Sequence, residues 1–234
     1  MIYFEDLPLD EDILKALGEL SINYVFQSIF YPDGKTIFAR EALMRPLNMT
    51  VTELIEKYAK EDKLHVLEVA TFFGAMQEYQ LRGYTDRVCF NSFPSEAFTP
   101  DESRVFTEYY GDQTGLGIIE ILEYPRIEKE LAKYKFDVIR SQDLWIAVDD
   151  FGVGLNDFDV VDMYDPHMVK IDRELLSDID KHKDKQENVT GLLKKFHEKG
   201  IKVVAEGVET KEEFDWLVEA GADFFQGYYL HRPE

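Results

Sequence analysis

Basic residues, cysteines and long apolar runs are scarce in this sequence. Its 234 residues include 26 lysines and arginines against 47 aspartates and glutamates, a formal charge of −21. DNA and anionic membranes are bound mainly through clusters of Lys and Arg, so we expect neither as a partner. The single cysteine, Cys89, excludes an internal disulfide and a thiolate metal cluster, and we interpret it as a small core residue.

Targeting and membrane-spanning signals are also missing from the sequence. No run approaches the ~20 apolar residues of a transmembrane helix. The first residues, MIYFEDLPLDEDILKAL, lack the basic start of a secretion signal, so a cytoplasmic protein is expected. There is no glycine-rich dinucleotide fingerprint, because Gly152 and Gly154 form only a lone pair, and this argues against an open doubly wound sheet.

The order of the elements indicates a barrel. Residues 1–20 are predicted to be an acidic helical lead-in and residues 21–234 the domain, a length that suits one barrel. The turn from Tyr31 to Lys35, with Pro-Asp-Gly at its centre, predicts an antiparallel hairpin. Strands predicted after the hairpin cover residues 87–91, 115–121, 145–149, 168–171, 201–205 and 223–230. Helices predicted around them cover residues 10–20, 100–110, 126–134, 188–199 and 211–220, with one or two more in 52–82.

Eight strands with helical crossovers predict the α/β class. The best fit is a modified TIM (β/α)8 barrel whose first hairpin contributes one antiparallel strand. Seven strands carry a polar side chain at or near the end, namely Glu41, Asn91, Glu120, Asp149 with Asp150, Lys170, Glu206 and Gln226. Because strand ends converge on one face of such a barrel, these oxygens predict a site for hard divalent cations.

Two of these positions have strong local signals. Adjacent strand residues face opposite sides, so Asp149 and Asp150 can both face inward only if the strand breaks between them. Gly152 and Gly154 are predicted to supply that break. Close carboxylates repel unless a cation or proton lies between them, although an ordinary acidic strand end is the alternative.

Burial of the Lys170 ammonium inside a barrel would cost free energy unless anions surround it. The alternative is a lysine on an edge strand whose side chain reaches solvent.

Five motifs occur here in the order found in EAL domains. They are Glu41-Ala-Leu43 with Arg45, Asp149-Asp-Phe-Gly152, Lys170-Ile-Asp172, Ala205-Glu-Gly-Val-Glu-Thr210, and Gln226-Gly-Tyr-Tyr with Arg232-Pro233. The chain resembles this family from about Tyr24 to its end. EAL domains are phosphodiesterases of the bacterial second messenger cyclic di-GMP. The resemblance therefore implies a metal-dependent enzyme that hydrolyses cyclic di-GMP to linear 5'-pGpG.

The resemblance also implies roles for individual residues. The implied metal ligands, for two Mg²⁺ or Mn²⁺ ions, are Glu41, Asn91, Glu120, Asp149, Asp150 and Glu206. Ca²⁺, with its looser coordination, is expected to inhibit. Lys170 would orient the attacking water or the phosphate and Glu206 would be the base, with Glu41 and Asp149 completing the catalytic set. The implied substrate-binding residues are Gln27, Leu43, Arg45, Glu209 and Gln226, and Glu123 would brace the loop after Asp150.

The chain departs from the family in the loop after the aspartate pair. The family has Thr, Tyr and two Ser at the positions of Val153, Leu155, Asn156 and Asp157, and a proline at Ser28. The lost hydroxyl donors favour an alternative, a receptor that binds cyclic di-GMP without turnover, whereas the retained ligand positions favour an enzyme. A barrel glycosidase with two carboxylates is a third reading, but it would not need Lys170 and the amides. The resemblance allows a homodimer and a sensor or GGDEF-type partner domain outside this chain.

Overall fold

The structure, a computed structural model, describes residues 7–122, 129–152 and 158–234. Its strands close into an eight-stranded barrel in sequence order. The strands are β1 (Ile22–Phe30), β2 (Ile37–Pro46), β3 (Arg87–Ser92), β4 (Gly117–Ile121), β5 (Trp145–Phe151), β6 (Met168–Ile171), β7 (Lys202–Ala205) and β8 (Phe224–Phe225). β1 is antiparallel to both of its neighbours and the other pairs are parallel. The prediction of a modified TIM barrel with one antiparallel strand is confirmed.

Helices surround the barrel. They are α1 (Glu11–Gly18), α2 (Val51–Lys60), α3 (Leu64–Leu81), α4 (Pro100–Tyr110), α5 (Lys129–Ser141), α6 (Phe158–Tyr164), α7 (Arg173–Leu176), α8 (Lys183–Glu198) and α9 (Lys211–Ala220). Of these, α1, α2, α4, α7 and α9 begin at a capping Asp or Thr side chain. The predicted cap at Thr210 forms a capping box with Glu213, and Gly221 ends α9 in the left-handed conformation. In the described parts of the chain, no helix is both long and apolar enough to cross a bilayer.

Two apolar cores hold the fold together. The larger lies between the strands and the helices and includes Leu17 of α1. The smaller lies inside the barrel and consists of Ile29, Phe38, Ala39, Cys89, Ile118, Ala147, Met168, Val204 and Phe224. Cys89 is a free, buried core residue as expected, and burial raises the pKa of its thiol. The division into a lead-in and a domain at residue 20 stays a prediction.

The predicted length of the last strand, residues 223–230, is wrong, because β8 spans only two residues. After it the chain turns tightly against the backbone of Val208, where a Cβ at Gly227 would lie 2.1 Å from the Val208 carbonyl oxygen. The C-terminal residues then return along β1, and Phe26 and Glu234 exchange backbone hydrogen bonds of 2.8 and 3.1 Å. Helix α8 also begins earlier than predicted, at Lys183. Helices α6 and α7 were not predicted.

Two helical glycines should respond oppositely to alanine. A Cβ at Gly74 of α3 would lie 2.6 Å from the ring of Tyr24, whereas nothing lies within 4 Å at Gly191 of α8. Alanine is favoured over glycine in helices by about 1 kcal/mol, but overpacking a core costs about 1–3 kcal/mol. We therefore expect Gly74→Ala to lower, and Gly191→Ala to raise, the free energy of unfolding measured in urea. A stabilising Gly74→Ala would show that the Tyr24 ring moves aside.

Candidate active site

The polar strand ends lie directly above the inner core. Side chains two residues apart on a strand share a face, so on each strand one inner-core residue places a polar residue at the next level. The successive core and polar residues are Ala39 and Glu41, Cys89 and Asn91, Ile118 and Glu120, Ala147 and Asp149, Met168 and Lys170, Val204 and Glu206, and Phe224 and Gln226. On the antiparallel β1 the order reverses, and Gln27 precedes Ile29. The structure thus brings the predicted strand-end residues together on one face.

Lys170 occupies the centre of this face and is fully buried. Its Nζ lies 2.9 Å from Asp149, 3.1 Å from Glu41, 3.3 Å from Glu206 and 3.6 Å from Glu120, measured to the nearest carboxylate oxygen. Burial opposes the charge on Lys170, but these carboxylates outweigh it and raise its pKa well above the usual value. The alternative of a solvent-reaching edge lysine is therefore wrong.

Glu41 receives hydrogen bonds from three side chains that lie at or just beyond the ends of other strands. Its Oε2 accepts from Gln226 at 2.6 Å and from Lys170 at 3.1 Å, and its Oε1 accepts from Asn91 Nδ2 at 3.3 Å. Burial alone would raise the pKa of Glu41, but the Lys170 ammonium and these hydrogen bonds outweigh it and lower the pKa. Glu41 is therefore held as a carboxylate.

Other carboxylates of the site lack this support. Both oxygens of Glu120 and the Oε2 of Glu206 are buried and accept no nitrogen or oxygen hydrogen bond from the described residues. Burial, beyond what Lys170 offsets, raises the pKa of Glu206 to about 8 and that of Glu120 well above its usual value. Four carboxyl groups thus surround one ammonium, and without a further cation the raised pKa values favour protons on Glu120 and Glu206. A divalent cation is the partner that such oxygen donors fit.

Asp149 and Asp150 do face the same site, but the break differs from the predicted one. The register of β5 against β6 shifts between Val148 and Phe151, and Asp150 itself adopts a left-handed conformation with φ 47°. This bulge turns the Asp150 carboxylate toward its neighbour. One carboxylate oxygen each from Asp149, Asp150 and Glu206 lies within 4.8 Å of the others. Burial and the Asp149 charge raise the pKa of Asp150 to about 6.

Glycine contributes less to this break than predicted. Gly152 also has a positive φ of 96°, and a Cβ there would lie 2.4 Å from a methyl carbon of Leu175. It follows the bulge rather than creating it, so the assignment of the break to Gly152 was wrong. Gly154 and the altered loop residues Val153, Leu155, Asn156 and Asp157 lie outside the described residues, as does Glu123.

The implied substrate residues form the rim of this face. Leu43 and Arg45 follow Glu41 at two-residue steps on β2; Leu43 is half-buried and Arg45 exposed. Gln27 Nε2 donates to the backbone oxygen of His231 at 3.1 Å, and Gln27 Oε1 accepts from Gln226 at 3.3 Å.

Arg173 was missed by the sequence reasoning although it lies at the same rim. Its guanidinium is 3.0 Å from Glu209 and also contacts Glu213 and the backbone oxygen of Gly207. It lines an open pocket with Gln27, Asp172, Glu206, Gly207, Glu209, Gln226, Gly227 and Tyr228. The sequence feature that could have identified Arg173 as a site residue is its position directly after the Lys170-Ile-Asp172 motif.

Solved structures similar to this chain have the same barrel. The c-di-GMP bound form of a standalone versatile EAL protein from Vibrio cholerae O395 is 27% identical, with a TM-score of 0.83 over 92% of this chain and 93% of that chain. BlrP1 from Klebsiella pneumoniae, solved as a calcium/cy-diGMP complex, is 26% identical, with a TM-score of 0.79 over 97% of this chain and 61% of that one. A manganese/cy-diGMP complex of BlrP1 has a TM-score of 0.78.

Curated relatives and a family model agree with these structures. The probable cyclic di-GMP phosphodiesterase PdeN of Escherichia coli is 29% identical over 86% of this chain, and the cyclic di-GMP phosphodiesterase RocR of Pseudomonas aeruginosa is 24% identical over 97%. The chain spans 37% of the length of PdeN and 61% of that of RocR. The model of the EAL domain matches residues 10–233. This chain therefore belongs to the EAL domain family.

Proposed function

We propose that this chain is a metal-dependent phosphodiesterase that hydrolyses cyclic di-GMP to linear 5'-pGpG. The observation that supports it best is the buried Lys170 ammonium within 3.6 Å of four carboxylates at the carboxyl-terminal face of the barrel. We expect this activity in the cytoplasm, where a bacterial second messenger acts. The similarity to PdeN, a probable cyclic di-GMP phosphodiesterase, and to RocR, a cyclic di-GMP phosphodiesterase, supports the same substrate.

The residues of this face would share the work as follows. Glu41, Asn91, Glu120 and Asp149 would hold one Mg²⁺ or Mn²⁺ ion, and Asp150 with Glu206 a second. When bound, such ions supply Lewis acidity and neutralise phosphate charge. They would also explain how a chain of charge −21 attracts an anion, because bound cations invert the local potential.

Proton transfer and substrate orientation would be carried out by the protein groups. Lys170 would place a fixed positive charge beside the reacting phosphate oxygen, where a low-dielectric site strengthens its effect. Glu206, the carboxylate just beyond β7, would take the proton of the attacking water. The dinucleotide would be held by Gln27, Leu43, Arg45, Glu209 and Gln226. Arg45, exposed at the rim, is suited to a phosphate.

A receptor that binds cyclic di-GMP without hydrolysing it is the second candidate. The substitutions at Val153, Leu155, Asn156 and Asp157 favour it, because they remove hydroxyl donors beside the aspartate pair. Incubation of purified protein with cyclic di-GMP and Mg²⁺ or Mn²⁺, followed by chromatography, separates the two. We expect linear 5'-pGpG. Saturable binding without any linear product would establish the receptor instead.

Metal exchange should change this activity strongly. We expect turnover in Mg²⁺ or Mn²⁺, none after chelation, and inhibition when Ca²⁺ is added, because Ca²⁺ takes more ligands at longer distances than this compact set provides. Product formation over a series of metal concentrations measures the effect, and addition of Mn²⁺ after chelation is the control. Robust turnover in Ca²⁺ with none in Mg²⁺ would contradict the proposed ligand arrangement.

A further inference from the structure

A buried ion pair lies directly behind the strand end that carries Asn91. Lys135 of α5 and Glu68 of α3 are 4% and 1% exposed, and Lys135 Nζ lies 2.7 Å from Glu68 Oε1. Neither residue belongs to the proposed catalytic or substrate-binding set. Charges buried this deeply are costly unless further hydrogen bonds satisfy them. The location of those further bonds therefore indicates what the pair holds in place.

Both charged groups bind the end of β3 and the residues that follow it. Lys135 Nζ donates to Ser92 Oγ at 2.6 Å, to the Phe93 carbonyl oxygen at 2.7 Å and to the Glu96 carbonyl oxygen at 2.6 Å. Glu68 accepts from Ser92 Oγ at 2.5 Å on one oxygen and from the Phe93 backbone N–H at 2.9 Å on the other. Side chain and backbone of this strand end are thus tied to two different helices.

The strand transmits this attachment to the active-site face. Neighbouring strand residues face opposite sides, so Ser92 points outward to the ion pair while Asn91 points inward. Asn91 Nδ2 lies 3.3 Å from both Glu41 Oε1 and the Ala42 carbonyl oxygen. Both of those atoms only accept hydrogen bonds, so the amide nitrogen must face them. The Asn91 amide oxygen is then the atom left to face a cation.

We propose that Lys135 and Glu68 are positioning residues that fix Asn91 for metal binding, an inference that rests on the function proposed above. Directional hydrogen bonds to Ser92 and Phe93 fix the position of the strand end along the barrel and its rotation about the strand axis. Apolar contacts alone would allow both to vary. The Ser92 carbonyl oxygen also accepts from the Leu122 backbone N–H at 3.0 Å, which ties the end of β4 to the same unit. Residues that orient a metal ligand from behind typically change metal affinity by 10–100-fold.

The test compares the two ends of the same strand. Lys135→Met combined with Glu68→Leu replaces the pair by apolar groups, a change that buried ion pairs often tolerate in stability. The matched control is Arg40→Met with Asp86→Leu, which removes a part-buried 2.9 Å ion pair beside the start of β3. Mn²⁺ affinity is measured without nucleotide, by calorimetry or by the electron paramagnetic resonance of free Mn²⁺. Thermal unfolding is measured alongside.

We expect the Lys135/Glu68 variant to bind Mn²⁺ about 10–100-fold more weakly than the unaltered chain, and the control to bind it equally well. Turnover of the variant should recover in excess Mn²⁺, because only retention of the metal is impaired. If the double variant does not fold, Ser92→Ala, which removes one hydroxyl of the network, should weaken Mn²⁺ binding in the same direction. Unchanged affinity in the folded variant, or in Ser92→Ala, would show that the network is merely structural. An unaltered chain that binds no Mn²⁺ would instead defeat the proposed function, and this inference with it.

Discussion

Replacement of Glu41 by glutamine should lower kcat by about a thousandfold or more. Glu41 accepts hydrogen bonds on both of its oxygens, from Gln226, Lys170 and Asn91. A glutamine nitrogen only donates, so one end of the new side chain would face a donor and rotate away. The variant would also lose an anionic ligand at a position where bound metal supplies several kcal/mol of transition-state stabilisation, and each 1.36 kcal/mol is tenfold in rate.

The measurement is turnover of cyclic di-GMP at saturating Mn²⁺, so that weakened metal binding alone cannot account for the loss. Glu212→Gln is the matched control, because it makes the same chemical change at an exposed position in the first turn of α9. We expect the control to retain the turnover of the unaltered chain. Retention of more than a tenth of kcat in Glu41→Gln would mean that Glu41 does not take part in the reaction.

The convergence of the polar residues could be predicted because it depends on local pattern. A strand that buries Ile118 or Met168 inside the barrel must place Glu120 or Lys170 on the same face two residues later. Parallel strands then bring those levels together at one end of the barrel. Gln27 could not be found in this way, because β1 runs the other way and presents its middle rather than its end. The family resemblance alone pointed to it.

The parts that escaped prediction depend on contacts between distant segments. The conformation of Asp150 is set by the pairing of β5 with β6, whose register shifts at that point. The shortness of β8 follows from the close approach of Gly227 to Val208. Lys135 and Glu68 are 67 residues apart, and each alone would suggest a solvated helix face. The spacing of apolar residues in the sequence identifies which face of an element is apolar. It does not identify which charged residues from distant segments form an ion pair.

Lys170→Met should make the stability of the chain depend on divalent cations. The Lys170 ammonium contacts four buried or part-buried carboxylates, and removal of one partner of a buried ion pair costs about 3–5 kcal/mol. Without it, the carboxylates must either repel one another or take up protons, and both oppose folding unless another cation replaces the charge. Mn²⁺ at a hundredfold excess over its Kd stabilises a chain that binds it by about 2.7 kcal/mol. Urea unfolding with and without Mn²⁺ measures both effects.

The Lys170→Met substitution also distinguishes the contribution of Lys170 to stability from its contribution to kcat. Bound Mn²⁺ can offset the lost charge but cannot replace an ammonium donor beside the reacting phosphate, so kcat should stay about 10²–10³-fold low at saturating Mn²⁺. Lys202→Met is the control, because Lys202 forms a 2.8 Å ion pair with Asp223 but is 51% exposed, and exposed pairs contribute about 0–1 kcal/mol. Equal unfolding midpoints for Lys170→Met and the unaltered chain in metal-free buffer would mean that the buried carboxylates are already neutral there. Lys170 would then be dispensable to the fold, and its place among the carboxylates would have to be explained by the reaction alone.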